Sequence, residues 1–132
     1  MAKFLIPAQA LDAGDGIILN NTQIKTCAIY HDDGTPTVTV RGTGCIMKPA
    51  RYAVSVHIIE TAVAAAAVQF GLYVDGELLP DSVIGLPAVA VGDVISGDMT
   101  TEITAAGSTR IALRAITDAN VTGGNVTVHR IA

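Results

Sequence analysis

Between residues 68 and 80 the chain reads VQFGLYVDGELLP. Val68, Phe70, Leu72 and Val74 take every second position, with Gln69, Gly71, Tyr73 and Asp75 between them. Successive side chains of a strand point to opposite faces, so a period of two puts four apolar side chains on one face. Asp75-Gly76 follows, a pair that accepts the positive φ of a tight turn. A half-buried strand and its turn are not stable alone and need a second layer over the apolar face. This segment therefore commits the chain to packed sheets.

Other segments repeat the pattern. Val38 and Val40 alternate with Thr37, Thr39 and Arg41, and Tyr52, Val54, Val56 and Ile58 share one face of a later run, with His57 on the opposite face. The β-branched residues in these runs suit a pleated surface. Residues 100–104 and 109–114 read as a hairpin across residues 105–108, with Ile111 and Leu113 inward and Arg110 and Arg114 outward. Gly123-Gly124 is expected to open a last strand over residues 125–130. Residues 61–68 contain five alanines but are too few for an unaided helix, so a loop is expected, with a single helical turn as the alternative. Eight to ten strands separated by Gly, Asn and Asp turns indicate an all-β antiparallel sandwich or jelly roll. At 132 residues this is one domain, divided into an amino-terminal arm or first strand (residues 1–15) and the jelly-roll domain (16–132).

Half of the residues are hydrophobic and only 15% are charged, against the usual quarter. No apolar run approaches the roughly 20 residues of a membrane span, so no membrane is expected as partner. The surplus apolar surface then points to a subunit interface and an obligate oligomer. The net charge is −4, the eight basic residues are scattered and there is no Trp, which excludes nucleic acid as a partner. Residues 1–7 are too short for a signal-peptide core, and production in the bacterial cytoplasm without a secretory signal is expected. In that setting Cys27 and Cys45 are expected as free, largely buried thiols. Gly71 and Tyr73 lie opposite the apolar face of their strand, and in a chain so poor in charge that face is expected to meet the neighbouring subunit.

Lys48-Pro49-Ala50-Arg51-Tyr52-Ala53-Val54-Ser55-Val56, followed by residues 68–80, resembles the C1q/TNF-like jelly rolls, above all the compact ones of bacterial collagen-like surface proteins and tailed-phage structural proteins. The resemblance spans roughly residues 15–131 and departs from the family pattern at Ala50, where Gly is usual, and in lacking a preceding collagen-like stalk. It implies a ten-strand jelly roll assembled as a homotrimer about a three-fold axis. It further implies a non-enzymatic virion protein on the capsid surface, a decoration or short head-fibre protein partnered by the major capsid protein or another virion component. A receptor- or glycan-binding module of a fibre or tail tip is the alternative. His57 joins Gly71 and Tyr73 as an expected interface residue, since a histidine repeated about a three-fold axis can hold an ion or titrate near neutral pH.

No phosphate-binding Gly loop and no Gly-x-Ser-x-Gly elbow is present, and the three histidines lack metal-ligand spacing, so no catalytic residue, cofactor or metal site is expected. His31-Asp32-Asp33-Gly34 is the densest polar cluster. Its carboxylates could begin a calcium site, but Asp bonding its own backbone beside a Gly is ordinary turn chemistry, and a turn is the expectation. Phe4, Tyr30 and Tyr73 are the aromatics left for ligand contact once Tyr52 and Phe70 are assigned to the core.

Overall fold

In a computed structural model, residues 2–21, 28–42 and 49–131 are described, and they form twelve strands. These are β1 (Ala2–Leu5), β2 (Gln9–Leu11), β3 (Asn20–Asn21), β4 (Ile29–Tyr30), β5 (Thr37–Arg41) and β6 (Ala50–Thr61). They continue with β7 (Val68–Val74), β8 (Glu77–Leu78), β9 (Ile84–Leu86), β10 (Val94–Ala105), β11 (Ser108–Ala115) and β12 (Ala119–Arg130). The count exceeds the expected eight to ten because several are edge segments of two or three residues. Cys27 and Cys45 lie outside the described residues.

Two antiparallel sheets pack face to face. Sheet A has the order β10-β6-β12-β1-β3, with β2 beside β12; sheet B has the order β4-β5-β11-β7-β8, with β9 beside β7. The alternation read from the sequence decides which side chains meet between them. Tyr52, Val54, Val56 and Ile58 of β6 face Phe70 and Leu72 of β7 and Ile111 and Leu113 of β11 in one core. Full burial of such side chains is worth about 1.5–3 kcal/mol each. Tyr52 is the largest of them, and its hydroxyl donates to the Arg41 carbonyl oxygen at 2.5 Å, so its polar tip is not stranded. Asp75 (φ 50°) and Gly76 (φ 87°) make the turn between β7 and β8, with Val74 opposite Glu77.

Three local readings are corrected. Residues 100–104 and 109–114 are not a hairpin: β10 pairs with β6 in sheet A, whereas β11 pairs with β5 and β7 in sheet B. The short link between them crosses from one layer to the other, and the inward alternation of Ile111 and Leu113 is satisfied either way. β12 begins at Ala119 rather than after the glycine pair, because the pair sits inside the strand at an irregularity between Val121 and Gly123. Gly124 has φ 136°, and a Cβ there would collide with the His57 carbonyl oxygen, so only glycine fits. Phe4, expected among the available aromatics, is 1% exposed and belongs to the core.

The first residues belong to the sandwich. β1 lies between β12 and β3, with Ala2 opposite Val128 and Phe4 opposite Val126. Residues 62–67 form an irregular loop of exposed alanines beyond Ala62, without a helical turn. Gly97 of β10 points inward under β9, where a Cβ would stand 2.7 Å from Ile84 and 2.8 Å from Leu86; its missing side chain lets the two layers close there.

Candidate functional site

The outward face of sheet A is built from the other half of the alternation. One row across β10, β6, β12 and β1 is Thr100, Ser55, Thr127 and Lys3; the next is Asp98, His57, Asn125 and Leu5. Ala53, Ile59 and Gly123 extend the face along the strands. Its central side chains are short and mostly uncharged, and two pairs of them are linked across the strands. Ser55 and Thr100 share a hydrogen bond of 3.2 Å, and His57 Nδ1 lies 2.6 Å from Asp98 Oδ1. Arg51 and Glu102 approach to 3.9 Å at the margin, both more than half exposed, a pair of the kind that contributes little. The flanking Leu5 and Val94 expose 48% and 67% of their surfaces. Lys3 and Arg51 balance Asp98 and Glu102, so the face carries no net charge.

Sheet B presents something different. Outward residues of β5, β7 and β11 line a groove of about 620 Å³ that contains Tyr73, Asp75, Arg110, Ala112 and Arg114. Arg110 and Arg114 are four apart on one strand, so both guanidinium groups stand on the same face with Ala112 as a low floor between them. The Arg114 guanidinium sits 4.6 Å from the centre of the Tyr73 ring, a cation–π contact that holds both side chains. Asp75 accepts a hydrogen bond from the Arg110 backbone N–H at 2.9 Å, and the Asp75 N–H donates to the Arg110 carbonyl at 2.8 Å. Neither guanidinium pairs with a carboxylate among the described residues.

The three residues expected at a subunit interface are therefore not brought together. His57 stands on the outer face of sheet A, whereas Gly71 and Tyr73 stand on that of sheet B. Gly71 is also covered within its own chain: a Cβ there would collide with Leu78, carried over by the β7–β8 turn, and would press on Ile116 at 3.2 Å. Its lack of a side chain admits Leu78.

The His31-Asp32-Asp33-Gly34 cluster is a turn. The His31 ring is 2% exposed and packs edge-on against Phe4 at 4.8 Å, with Nδ1 2.5 Å from Asn21 Oδ1 and Nε2 2.6 Å from the Thr35 carbonyl. Asp33 accepts from the Asn21 N–H at 2.7 Å, and Asp32 accepts from the Tyr30 hydroxyl at 2.7 Å. That hydrogen bond and the Asp32 charge push the Tyr30 hydroxyl above the ordinary tyrosine range. Among the described residues no three His, Cys, Asp or Glu side chains gather as metal ligands. Ser82 is likewise structural: its buried hydroxyl accepts from Leu72 N–H at 2.9 Å and donates to the Leu79 carbonyl at 2.6 Å.

Glu60 escaped the sequence reading. It continues the inward series of β6 one step past Ile58 and is 4% exposed. Burial raises the pKa of its carboxyl, opposed in part by a long hydrogen bond of 3.4 Å from the Asn120 N–H. Carrying the alternation through to residue 60 would have found it.

No protein-family model matches the sequence, and no curated protein matches it. Solved structures do. The globular domain of zebrafish complement 1qA aligns with TM-score 0.71 at 8% identity, covering 100% of this chain and 98% of that one. The Eiger TNF of S. frugiperda gives 0.71 at 14% identity, with 99% and 91% covered. Murine APRIL gives 0.65 at 11% identity, with 97% and 98% covered. The fold is the C1q/TNF jelly roll. It agrees with the resemblance seen in residues 48–56 and 68–80, and with the two antiparallel sheets.

Proposed function

We propose that the chain is a non-enzymatic structural module that assembles as a homotrimer through the outer face of sheet A and displays sheet B outward. The observation that carries this reading is the contrast in charge between the two faces. Interface cores are depleted of charged side chains. On sheet A the His57–Asp98 and Arg51–Glu102 pairs leave short neutral side chains in between, flanked by exposed Leu5 and Val94. An assembled trimer would also take up apolar surface that a chain with so few charges leaves on its outside. Light scattering coupled to size-exclusion chromatography tests this directly. The expected species is three times the 13.5 kDa chain; a monomer overturns the reading.

In its finer form the proposal is a phage virion protein on the capsid surface, a decoration or short head-fibre protein held on the major capsid protein or another virion component. Its support is the resemblance of residues 48–56 and 68–80 to compact jelly rolls of tailed-phage structural proteins. Electron microscopy of purified particles tests it: density on the capsid lattice is the expected result, and density only at the tail tip contradicts it.

The groove on sheet B favours a second reading, a receptor- or glycan-binding module. Arg110 and Arg114 offer two cationic groups that meet no carboxylate among the described residues, about a shallow floor, with Tyr73 against Arg114. Such a groove suits an acidic glycan, whose carboxylates accept paired N–H donors from guanidinium. Binding of an oligouronate that Arg114→Ala weakens about tenfold supports this reading. Equal binding of a neutral oligosaccharide argues against it.

A further inference from the structure

At one end of the sandwich, away from both faces, a second cavity of about 440 Å³ opens between β2, the end of β6 and residues 63–68 and 117–120. Its wall is chiefly alanine, from Ala64, Ala66 and Ala67, and it contains Asp12, Glu60 and Asp118 but no cationic side chain. Glu60 is the unusual member. Every other inward position of β6 holds an apolar or aromatic residue, and this one is a carboxyl, 4% exposed, at the point where β12 departs from regular register opposite Glu60 and Ile59.

Its hydrogen bonding is incomplete. Oε2 receives only the long contact from the Asn120 N–H, at 3.4 Å, and Oε1 has no hydrogen-bond partner among the described residues. Yet among the described residues no fully enclosed side-chain oxygen is left unsatisfied, so Oε1 keeps a small exposed area in the cavity that Glu60 lines. Oε1 is thus a nearly buried acceptor with no partner among the described residues, open to a donor that enters the cavity. The other two acids do not fill this role. Asp118 already accepts from the Ala13 N–H at 2.8 Å, and it lies at the exposed rim with Asp12.

We propose that this cavity binds a small primary amine bearing a short apolar chain, with its ammonium on Glu60 Oε1 and its hydrocarbon against the alanine wall. An ammonium supplies the donors that Oε1 lacks and the positive charge that three surrounding carboxyls favour. The alanine side chains leave width for an alkyl chain but offer no polar group to orient a larger ligand. Because the ammonium binds the ionised carboxylate and burial raises the pKa of Glu60, affinity falls as pH falls into the range where Glu60 takes up a proton.

The test uses the full chain and n-butylammonium chloride, with n-butanol as the uncharged control. Nuclear magnetic resonance titration at about pH 8, up to about 20 mM, should give saturable shifts centred on Glu60 and residues 64–67. Glu60→Gln should weaken binding about tenfold, and so should Ala66→Leu, which narrows the cavity while leaving Glu60 in place. Binding to the natural chain should weaken between about pH 8 and about pH 4, and that to Glu60→Gln should change far less. The proposal is overturned by the absence of saturable shifts, by equal binding of n-butanol, or by unchanged binding to Ala66→Leu. Should Glu60→Gln fail to fold, Ala66→Leu and the n-butanol control still decide.

Discussion

The two outer faces of the sandwich share a backbone plan and differ in what they carry. Sheet A presents Ala53, Ser55, Thr100, Asn125 and Thr127, short side chains on three strands of twelve residues each. Sheet B presents Arg110, Arg114 and Tyr73 around a groove, with Leu78 folded over Gly71. Both faces alternate with the same core, so core packing does not explain the difference. It lies in the half of each strand that the core does not use. A long, charge-balanced face suits contact with another copy, whereas an indented face with two guanidinium groups suits display. The fold therefore assigns roles to its faces through the residues left over from packing.

The sharpest way to break this comparison is to exchange the character of the faces. Ser55→Arg places a charge in the middle of sheet A and, in a trimer, repeats it around the axis. Juxtaposed like charges cost several kcal/mol, so the expected result is dissociation to the 13.5 kDa chain in size-exclusion chromatography with light scattering. Ala112→Arg makes the same chemical change on sheet B and should leave the assembly state as it was. If both variants dissociate, or neither does, the faces are not functionally distinct.

The pairing of β12 with β6 in sheet A depends on the backbone at Gly124, and Gly124→Ala probes that. The positive φ and the collision with the His57 carbonyl predict a loss of about 2 kcal/mol or more in denaturant unfolding. Gly85→Ala, at a position on the β9 edge of sheet B with nothing within 4 Å of a new Cβ, is the matched control and should cost well under about 1 kcal/mol.

Glu60 belongs to neither face and gives a prediction with a defined sign. Burial raises its pKa, so the folded chain holds the proton more tightly than the unfolded chain does. Its contribution to stability is complete below the ordinary glutamate range and is lost as pH rises through the folded value. Glu60→Gln removes that loss: the variant should melt above the natural chain at about pH 8, with the difference closing towards about pH 4. A constant difference across this range would contradict it. The smallest effect is expected at His57–Asp98, an exposed pair at 2.6 Å with its aspartate three-quarters exposed. Asp98→Asn should change the stability of the isolated chain by about 0.2–1 kcal/mol in urea unfolding.

How much of this was legible in the sequence varied with the range of the signal. β7 and its Asp75-Gly76 turn were read correctly because alternation and turn chemistry are local. So was β6 as far as Ile58. The link between β10 and β11 was misread because alternation records which side of a strand is buried, not which sheet the strand joins. Gly123-Gly124 resembled a strand boundary, since a bulge and a turn ask for the same residue. Gly71 was taken for an open face because Leu78, which covers it, arrives only when the turn folds back. The groove could not be foreseen as a unit: Tyr73 and Arg114 become neighbours through the pairing of β7 with β11, and nothing in their separate surroundings announces it. The C1q/TNF resemblance reached the architecture, which is held by many such pairings together, and stopped short of the surface chemistry.

The position of β1 has a consequence for how the protein is made. Ala2 pairs with Val128 and Phe4 with Val126, so β1 is made long before β12, its main partner in the sheet. β3, its other neighbour, touches only Phe4 and Leu5. Until β12 is synthesised, Phe4 has no finished core to enter, and sheet A lacks the strand that joins β1 to β6. Closing such distant contacts is slow, and the waiting edges are exposed meanwhile. The sandwich should therefore close as a unit once β12 is available rather than strand by strand, with the earlier strands dependent on protection in the interval.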